Sequence, residues 1–338
     1  MKIAINGLGR IGRSILRQIA GNPEFELVFL NDPNMSVENL SYLIKYDSTY
    51  GRINGEVSST AEGLCINGRQ IDLLNCNDPS DFPQKYAGID LIIESSGLKL
   101  LGASMKELIN KGFTKKIICT YSNPKHCDAS IVAGVNDEKY DAAENHFISG
   151  TICDVVSLSP IISAVQRQSK INGGNIVTLH PWLSYQNLVD GPVASVSSPG
   201  HAWPDFALGR ASSENLIPKN TTALDVLAEI FPNLPYSNFQ SMSFRIPTVT
   251  VTSSIINLRV AQNFDIGKFH NDLLSNRYLE VITENLVSSD FKGAPYGASI
   301  DTRWTELVGD NLRVISWYDN EFGYSSQIIQ LALLALGK

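Results

Sequence analysis

The chain lacks any apolar stretch long enough to span a membrane, which argues against a helical membrane protein. It lacks a dense Lys/Arg run as well, and its formal net charge is −7, a balance that argues against general nucleic-acid binding. Cysteine is scarce: five residues, at 65, 76, 119, 127 and 153, odd in number and scattered. Such a set argues against a disulfide framework and fits a reducing compartment. His126-Cys127 has no second pair at zinc-ligand spacing, so no metal site is expected. The opening residues show no basic segment followed by an apolar core, so no secretory signal is expected and the expected location is cytoplasmic. Internal repeats and low-complexity tracts are missing too. What remains is a chain of 338 residues, 43% hydrophobic and 18% charged, with room for two domains.

Lys2-Ile-Ala-Ile-Asn6 suits a buried strand. It runs into Gly7-Leu-Gly9-Arg-Ile-Gly12 and then Arg13–Ala20, which is apolar at helical spacing. This is G-x-G-x-x-G after a strand and opening a helix, the setting that gives the motif meaning. Gly7 permits the tight turn, Gly9 lets a pyrophosphate approach the backbone, and Gly12 lets helix and strand pack closely. The anion would sit on the helix N-terminus. Asp32 ends the next strand, Glu26–Leu30, about 20 residues on, where a carboxylate can bind ribose hydroxyls and repel a 2′-phosphate. NAD is therefore expected over NADP; the alternative is a ligand-free turn with Asp32 as a turn former. Further strands are expected at Gly63–Ile66, Leu91–Ile93, Lys116–Cys119, Ile131–Val135 and His146–Ile148, with a helix near Met105–Lys111. Ser95, Ser96, Gly97 and Thr120 fall at strand C-terminal ends, where ligands bind in such sheets.

The chain turns at Ser149–Pro160. Thr151 and Asp154 read as a capping-box-like start, followed by the apolar run Val155, Val156, Leu158, Ile161, Ile162 and Val165. Cys153 then falls in the first helical turn, where free N–H groups and the positive helix end favour a thiolate. An inert buried cysteine is the bland alternative. Beyond it, Asn175–His180 reads as a strand ending at a candidate catalytic histidine. Residues 182–216 form a long Ser/Gly/Pro-rich segment, a length usually reserved for function. Arg245–Val260 contains a strand or a strand pair, Phe264–Leu274 and Arg277–Thr283 read as helical, Val314–Tyr318 as a strand, and Ser325–Leu336 as a closing amphipathic helix.

With Ile5–Arg13, Asn31-Asp32, Lys45–Arg52, Val189–Pro192, Phe244–Pro247 and Ser316–Tyr324, the chain resembles the glyceraldehyde-3-phosphate dehydrogenase family, including erythrose-4-phosphate dehydrogenase, over essentially its whole length. The resemblance implies an α/β fold: a Rossmann-type doubly wound parallel sheet plus an α+β catalytic domain with a mixed sheet. The expected divisions are 1–152 for dinucleotide binding, 153–316 for catalysis, and 317–338 returning to the first domain. It implies Cys153 as nucleophile and His180 as its base. Gly7, Gly9, Arg10, Ile11, Gly12, Asp32, Ser96, Gly97, Thr120, Asn320 and Tyr324 would hold NAD. Asn320 would hold the nicotinamide carboxamide, with Tyr324 beside the ring. Arg245 and Thr221, with Asp154, would meet substrate. Pro192 resembles the NAD-type variant of a loop that reaches a neighbouring subunit, and the family is usually a homotetramer.

The departures from the family pattern cluster around Cys153. Ile152 and Asp154 replace two hydroxyl residues that help bind inorganic phosphate, Leu183 replaces a phosphate-binding Thr, and Thr222 replaces a glycine. The loop after His180 is longer than usual. An aspartate beside Cys153 repels a phosphate dianion and opposes thiolate formation; if it only caps its helix, it faces away. Arg210, His201 and Lys219 are candidates for a rebuilt anion site. Three readings stay open: an NAD-dependent aldehyde dehydrogenase, phosphorylating or hydrolytic, with a diverged substrate or acyl acceptor; a glyceraldehyde-3-phosphate dehydrogenase with a rebuilt phosphate site; and a non-catalytic NAD-binding relative.

Overall fold

A computed structural model describes residues 1–61, 63–193, 205–261 and 263–337. The chain divides into two compact units: Met1–Ile152 with Tyr324–Lys338, and Cys153–Gly323.

The first unit is built on a nine-stranded sheet. Lys2–Asn6 lies in its middle, parallel to Glu26–Asn31 on one side and to Ile89–Glu94 on the other. The chain therefore reverses its winding direction at the first strand, the switch point where doubly wound sheets bind ligands. Ile3, Ala4, Ile5, Leu91, Ile92 and Ile93 are essentially inaccessible, as parallel strands covered on both faces must be. Phe29 meets Phe82 edge-on at 5.1 Å and Tyr86 at 4.9 Å, filling one face. Thr114–Cys119 and Phe147–Ser149 extend the parallel set, while Gly63–Ile66 and Val57–Ser59 add an antiparallel edge. Ile131–Val135 is not a strand. Pairing stops at Ala129–Ser130 and the chain turns, with Asn136 Oδ1 accepting from Val132 N at 2.8 Å. A short apolar run cannot by itself distinguish a strand from a buried turn. The closing helix, Phe322–Ala335, contributes its residues from Tyr324 onward to this unit.

The second unit has a seven-stranded mixed sheet, in the order Ile217–Lys219, Phe239–Ile246, Gly173–Pro181, Thr252–Arg259, Asn311–Tyr318, Ala298–Val308, Leu279–Ile282. Phe239–Ile246 and Thr252–Arg259 are not a hairpin; they flank Gly173–Pro181, one parallel and one antiparallel. The helix expected over Arg277–Thr283 is a strand instead, because Leu279–Ile282 finds an edge to pair with at Ala298–Asp301. Helix Cys153–Gln166 is buried over most of its surface, as a core helix is, and runs through Pro160. Ser157 and Ser316 share a hydrogen bond of 3.1 Å, which ties it to Asn311–Tyr318.

Candidate active site

Each unit brings expected residues together. In the first, the strand ends at Asn6 and helix Arg10–Ile19 begins three residues later. Gly7 has φ +87°, and a Cβ there would lie 2.4 Å from Ser96 N. A Cβ on Gly12 would lie 2.0 Å from Gly7 O. Both glycines are therefore demanded by backbone approach. Gly9 differs: a Cβ there would meet nothing within 4 Å. It is also the N-cap and supplies no side-chain capping bond. A cradle with room at a helix N-terminus fits a pyrophosphate.

Asp32 Oδ2 accepts from Leu8 N at 2.8 Å and Oδ1 from Asn34 N at 3.0 Å, so it braces the glycine turn. Arg10 is drawn to Asp47, Nη1 to Oδ2 at 2.6 Å, and Ile11 is a half-buried helix residue. Gly97, at φ +75°, follows Ser96 at one strand end, and Thr120 N donates to Glu94 O at 2.9 Å at the next. Tyr324 is buried, with its hydroxyl donating to Thr151 O at 3.1 Å. A buried polar chain crosses these strand ends, which sequence reasoning missed. Asn31 Nδ2 donates to Asn6 Oδ1 at 2.7 Å, Asn6 Nδ2 donates to Glu94, and Ser96 N donates to Glu94 Oε1 at 2.8 Å. Glu94 is wholly inaccessible, and burial pushes its pKa up to about 7 against the pull of the Ser96 and Asn6 donors. Polar residues ending otherwise apolar strands were the available signal.

In the second unit, strand register assembles the site. His180 pairs with Arg245 across parallel strands, and Ile217 pairs with Arg245 on the far side, which brings in Lys219 two residues on. Cys153 opens its helix. Its Sγ lies 3.7 Å from His180 Nε2 and 3.7 Å from Asp154 Oδ1. The imidazole Nδ1 lies 2.8 Å from Pro181 O, and since a carbonyl only accepts, Nδ1 carries the proton and Nε2 faces sulfur with its lone pair. Burial first, then Arg245, lowers the His180 pKa to about 4, so the ring is neutral at neutral pH. Burial first, then Asp154, pushes the Cys153 thiol well above its usual range, while Arg245 pulls it back. The helix N-terminus alone suggested a thiolate; the surroundings reverse that balance.

Asp154 is 7% exposed and does not cap outward. Tyr318 OH donates to its Oδ1 at 2.7 Å, and burial with the Asp154 charge keeps that phenol protonated. Thr151 is no cap either: it sits at φ +60° and its buried Oγ1 has no hydrogen-bond partner. The helix begins at Cys153, one residue too late for a Thr151 N-cap. Thr221 Oγ1 accepts from Ala223 N at 3.1 Å, closing the turn before helix Ala223–Ile230. Arg245 Nη2 donates to Tyr185 OH at 3.1 Å. Lys219 is partly buried, and burial followed by Arg245 lowers its pKa. Arg210 instead pairs with Asp190 at 2.9 Å on an exposed surface, and His201 lies outside the described residues. Asn320 is buried, with its Oδ1 3.5 Å from the Thr250 hydroxyl. Tyr318 and Tyr185 were missed. The signal for Tyr318 was periodicity: Leu312, Val314, Ser316 and Tyr318 form the buried face of one strand, and two polar residues there require polar partners.

Winding, switch point and glycine turn define the class, a dinucleotide-binding protein with a second, mixed-sheet domain. Comparison with known proteins makes this specific. Residues 1–100 match the family model for the glyceraldehyde 3-phosphate dehydrogenase NAD binding domain, and residues 152–320 match that for its C-terminal domain. The cytosolic glyceraldehyde-3-phosphate dehydrogenase of Chlamydomonas reinhardtii is 34% identical, covering 98% of this chain and 96% of its own. That of Geobacillus stearothermophilus is 31% identical, covering 100% and 99%. The chain belongs to the glyceraldehyde-3-phosphate dehydrogenase family of NAD-dependent dehydrogenases, and its cofactor is NAD. No described helix is long and apolar enough to cross a membrane.

Proposed function

We propose that the protein oxidises an aldehyde through a covalent Cys153 adduct and passes the acyl group to water. The observation that carries this reading is the Asp154 carboxylate, 3.7 Å from the nucleophilic sulfur. An inorganic phosphate dianion entering there would be opposed by about 4 kcal/mol per charge at about 4 Å and an effective dielectric of about 20, whereas water would not. Arg245 and Lys219 favour an aldehyde that bears an anionic group elsewhere, such as a sugar phosphate.

His180 Nε2 takes the thiol proton as sulfur bonds to the carbonyl carbon, and returns it to the new alkoxide to give a thiohemiacetal. When bound, NAD would supply the hydride acceptor, and the glycine turn, Asp32 and, on the family resemblance, Asn320 and Tyr324 would hold it. His180 accepts the hydroxyl proton as the hydride leaves, which yields a thioester. Water attacks the thioester carbon, the carbon–sulfur bond breaks, one water proton restores the Cys153 thiol, and the other leaves to solvent with the proton already held by His180. Aldehyde, NAD+ and water thus give carboxylate, NADH and two protons. Leu188, Val189 and Phe206, at 70%, 75% and 82% exposure, support contact with another copy of the chain, for which the family resemblance suggests a homotetramer, and the cytosolic relative of Chlamydomonas reinhardtii favours a cytoplasmic location.

A second reading, phosphorylating oxidation of glyceraldehyde 3-phosphate, is favoured by the names of the relatives and by the Arg245–Lys219 pair of cations. One experiment separates the two. NADH formation is followed over a panel of aldehydes, glyceraldehyde 3-phosphate included, with and without inorganic phosphate, in ¹⁸O-labelled water. Turnover without phosphate and label in the carboxylate are expected. A strict, saturable phosphate requirement would select the second reading. No turnover of any aldehyde, with NAD still bound, would leave a non-catalytic relative.

A further inference from the structure

We propose that Cys153, Asp154 and His180 form a binding site for a soft or borderline divalent cation, Zn2+ foremost, with three protein ligands and the fourth position open. Among the described residues, their donor atoms all lie within 4.8 Å of one another. The Sγ–Nε2 and Sγ–Oδ1 edges are both 3.7 Å. A tetrahedral zinc, with bonds of about 2.3 Å to sulfur and about 2.0–2.2 Å to nitrogen and oxygen, spaces its ligand atoms by roughly 3.4–3.6 Å. The Nε2–carboxylate edge is the one left wide, up to 4.8 Å, so the His180 and Asp154 side chains must draw together by up to about 1.4 Å to close on the ion.

The outer contacts are those a metal site requires. His180 donates Nδ1–H to Pro181 O at 2.8 Å, which fixes the tautomer and leaves Nε2 free to ligate. Tyr318 OH donates to Asp154 Oδ1 at 2.7 Å and holds the carboxylate in place. On binding, the thiol proton leaves to solvent and a metal–sulfur bond forms, without any redox change. Thiolate and carboxylate then balance the charge of the ion. Arg245 and Lys219 stand near enough to act on His180 and work against a cation. Arg245 is partly engaged by Tyr185 OH, and Lys219 Nζ donates to Asn220 O at 2.8 Å. This opposition makes the site weaker than a structural zinc site and its ion exchangeable. The metal would occupy both the sulfur and the imidazole lone pairs, so it would reversibly block oxidation. That consequence rests on the proposed reaction; the binding does not.

The test uses the reduced, chelator-stripped full chain. Zn2+ in excess should protect Cys153 from iodoacetamide, read by mass spectrometry, with Cys65, Cys76, Cys119 and Cys127 as references in the same sample, and a chelator should restore labelling. Co2+ should give a near-ultraviolet thiolate-to-cobalt band that Cys153→Ser abolishes. Asp154→Asn should weaken Zn2+ binding at least about tenfold. If that variant fails to fold, Tyr318→Phe should still weaken binding by severalfold. Unchanged labelling in excess Zn2+, cobalt bound without the band, or equal affinity in the folded ligand variants would overturn the site. Protection in a protein that oxidises no aldehyde would uphold the site and sink the reaction; NADH formation without protection would do the reverse.

Discussion

The two candidate regions hold their functional groups by different means. In the first unit, the glycine turn is contiguous: fixed spacing puts Gly7, Gly9 and Gly12 on one bend, and backbone groups would do the binding. In the second, the reactive side chains come from the start of a helix and from two parallel strands, aligned by the His180–Arg245 register. Backbone sites are sensitive to adding atoms; side-chain sites are sensitive to removing them or their charge. Each region also contains a buried carboxylate, and the surroundings differ. Glu94 sits among neutral donors from Asn6 and Ser96, whereas Asp154 sits between a tyrosine hydroxyl and a thiol.

The largest contrast comes from removing one atom. Cys153→Ala should lower NAD-dependent aldehyde oxidation by at least about 10³-fold, near 4 kcal/mol, while NAD binding measured by fluorescence titration is retained. Adding one atom to the other region should do the opposite. Gly12→Ala, whose Cβ would meet Gly7 O at 2.0 Å, should cost about 3 kcal/mol in chemical denaturation and weaken NAD binding.

The carboxylates sharpen the comparison. Since the folded pKa of Glu94, about 7, lies above its unfolded value, the folded state holds the extra proton between those values. Its contribution is fully present below the unfolded pKa and is lost as pH rises through about 7. In Glu94→Gln that loss should disappear, flattening stability against pH over this window by about 2–3 kcal/mol, checked by denaturant titrations at several pH values. Asp154→Asn should have the smallest effect and act on rate. With the negative neighbour gone, the Cys153 thiol ionises more readily, and alkylation at pH 7 should quicken by about tenfold. An unchanged rate would show that burial alone sets the thiol.

Local encoding explains what could be read in advance. The strand, glycine turn and Asp32 follow one another, so the motif is legible in spacing. Cys153 and His180 were found through family motifs, yet the direction of the Asp154 side chain was undecided, because its partner Tyr318 is 164 residues away. Arg245–Val260 was anticipated as a strand or strand pair; it contains Thr252–Arg259 but only the end of Phe239–Ile246, and the two were not foreseen as flanks of the His180 strand, because partner choice is not a local property. Leu279–Ile282 was misread for the same reason: an available edge overrode its helical appearance.

Sequence alone made the glycine turn legible, because it depends on residue type and near neighbours, and its resemblance to the family pointed to Cys153 and His180 as a nucleophile–base pair with fewer hydroxyls around them. Only the tertiary structure decided that the thiol stays protonated, that His180 stays neutral, and that Asp154 faces sulfur. Those are consequences of burial and of charges brought together across a sheet, and both quantities exist only once distant strands have chosen their register.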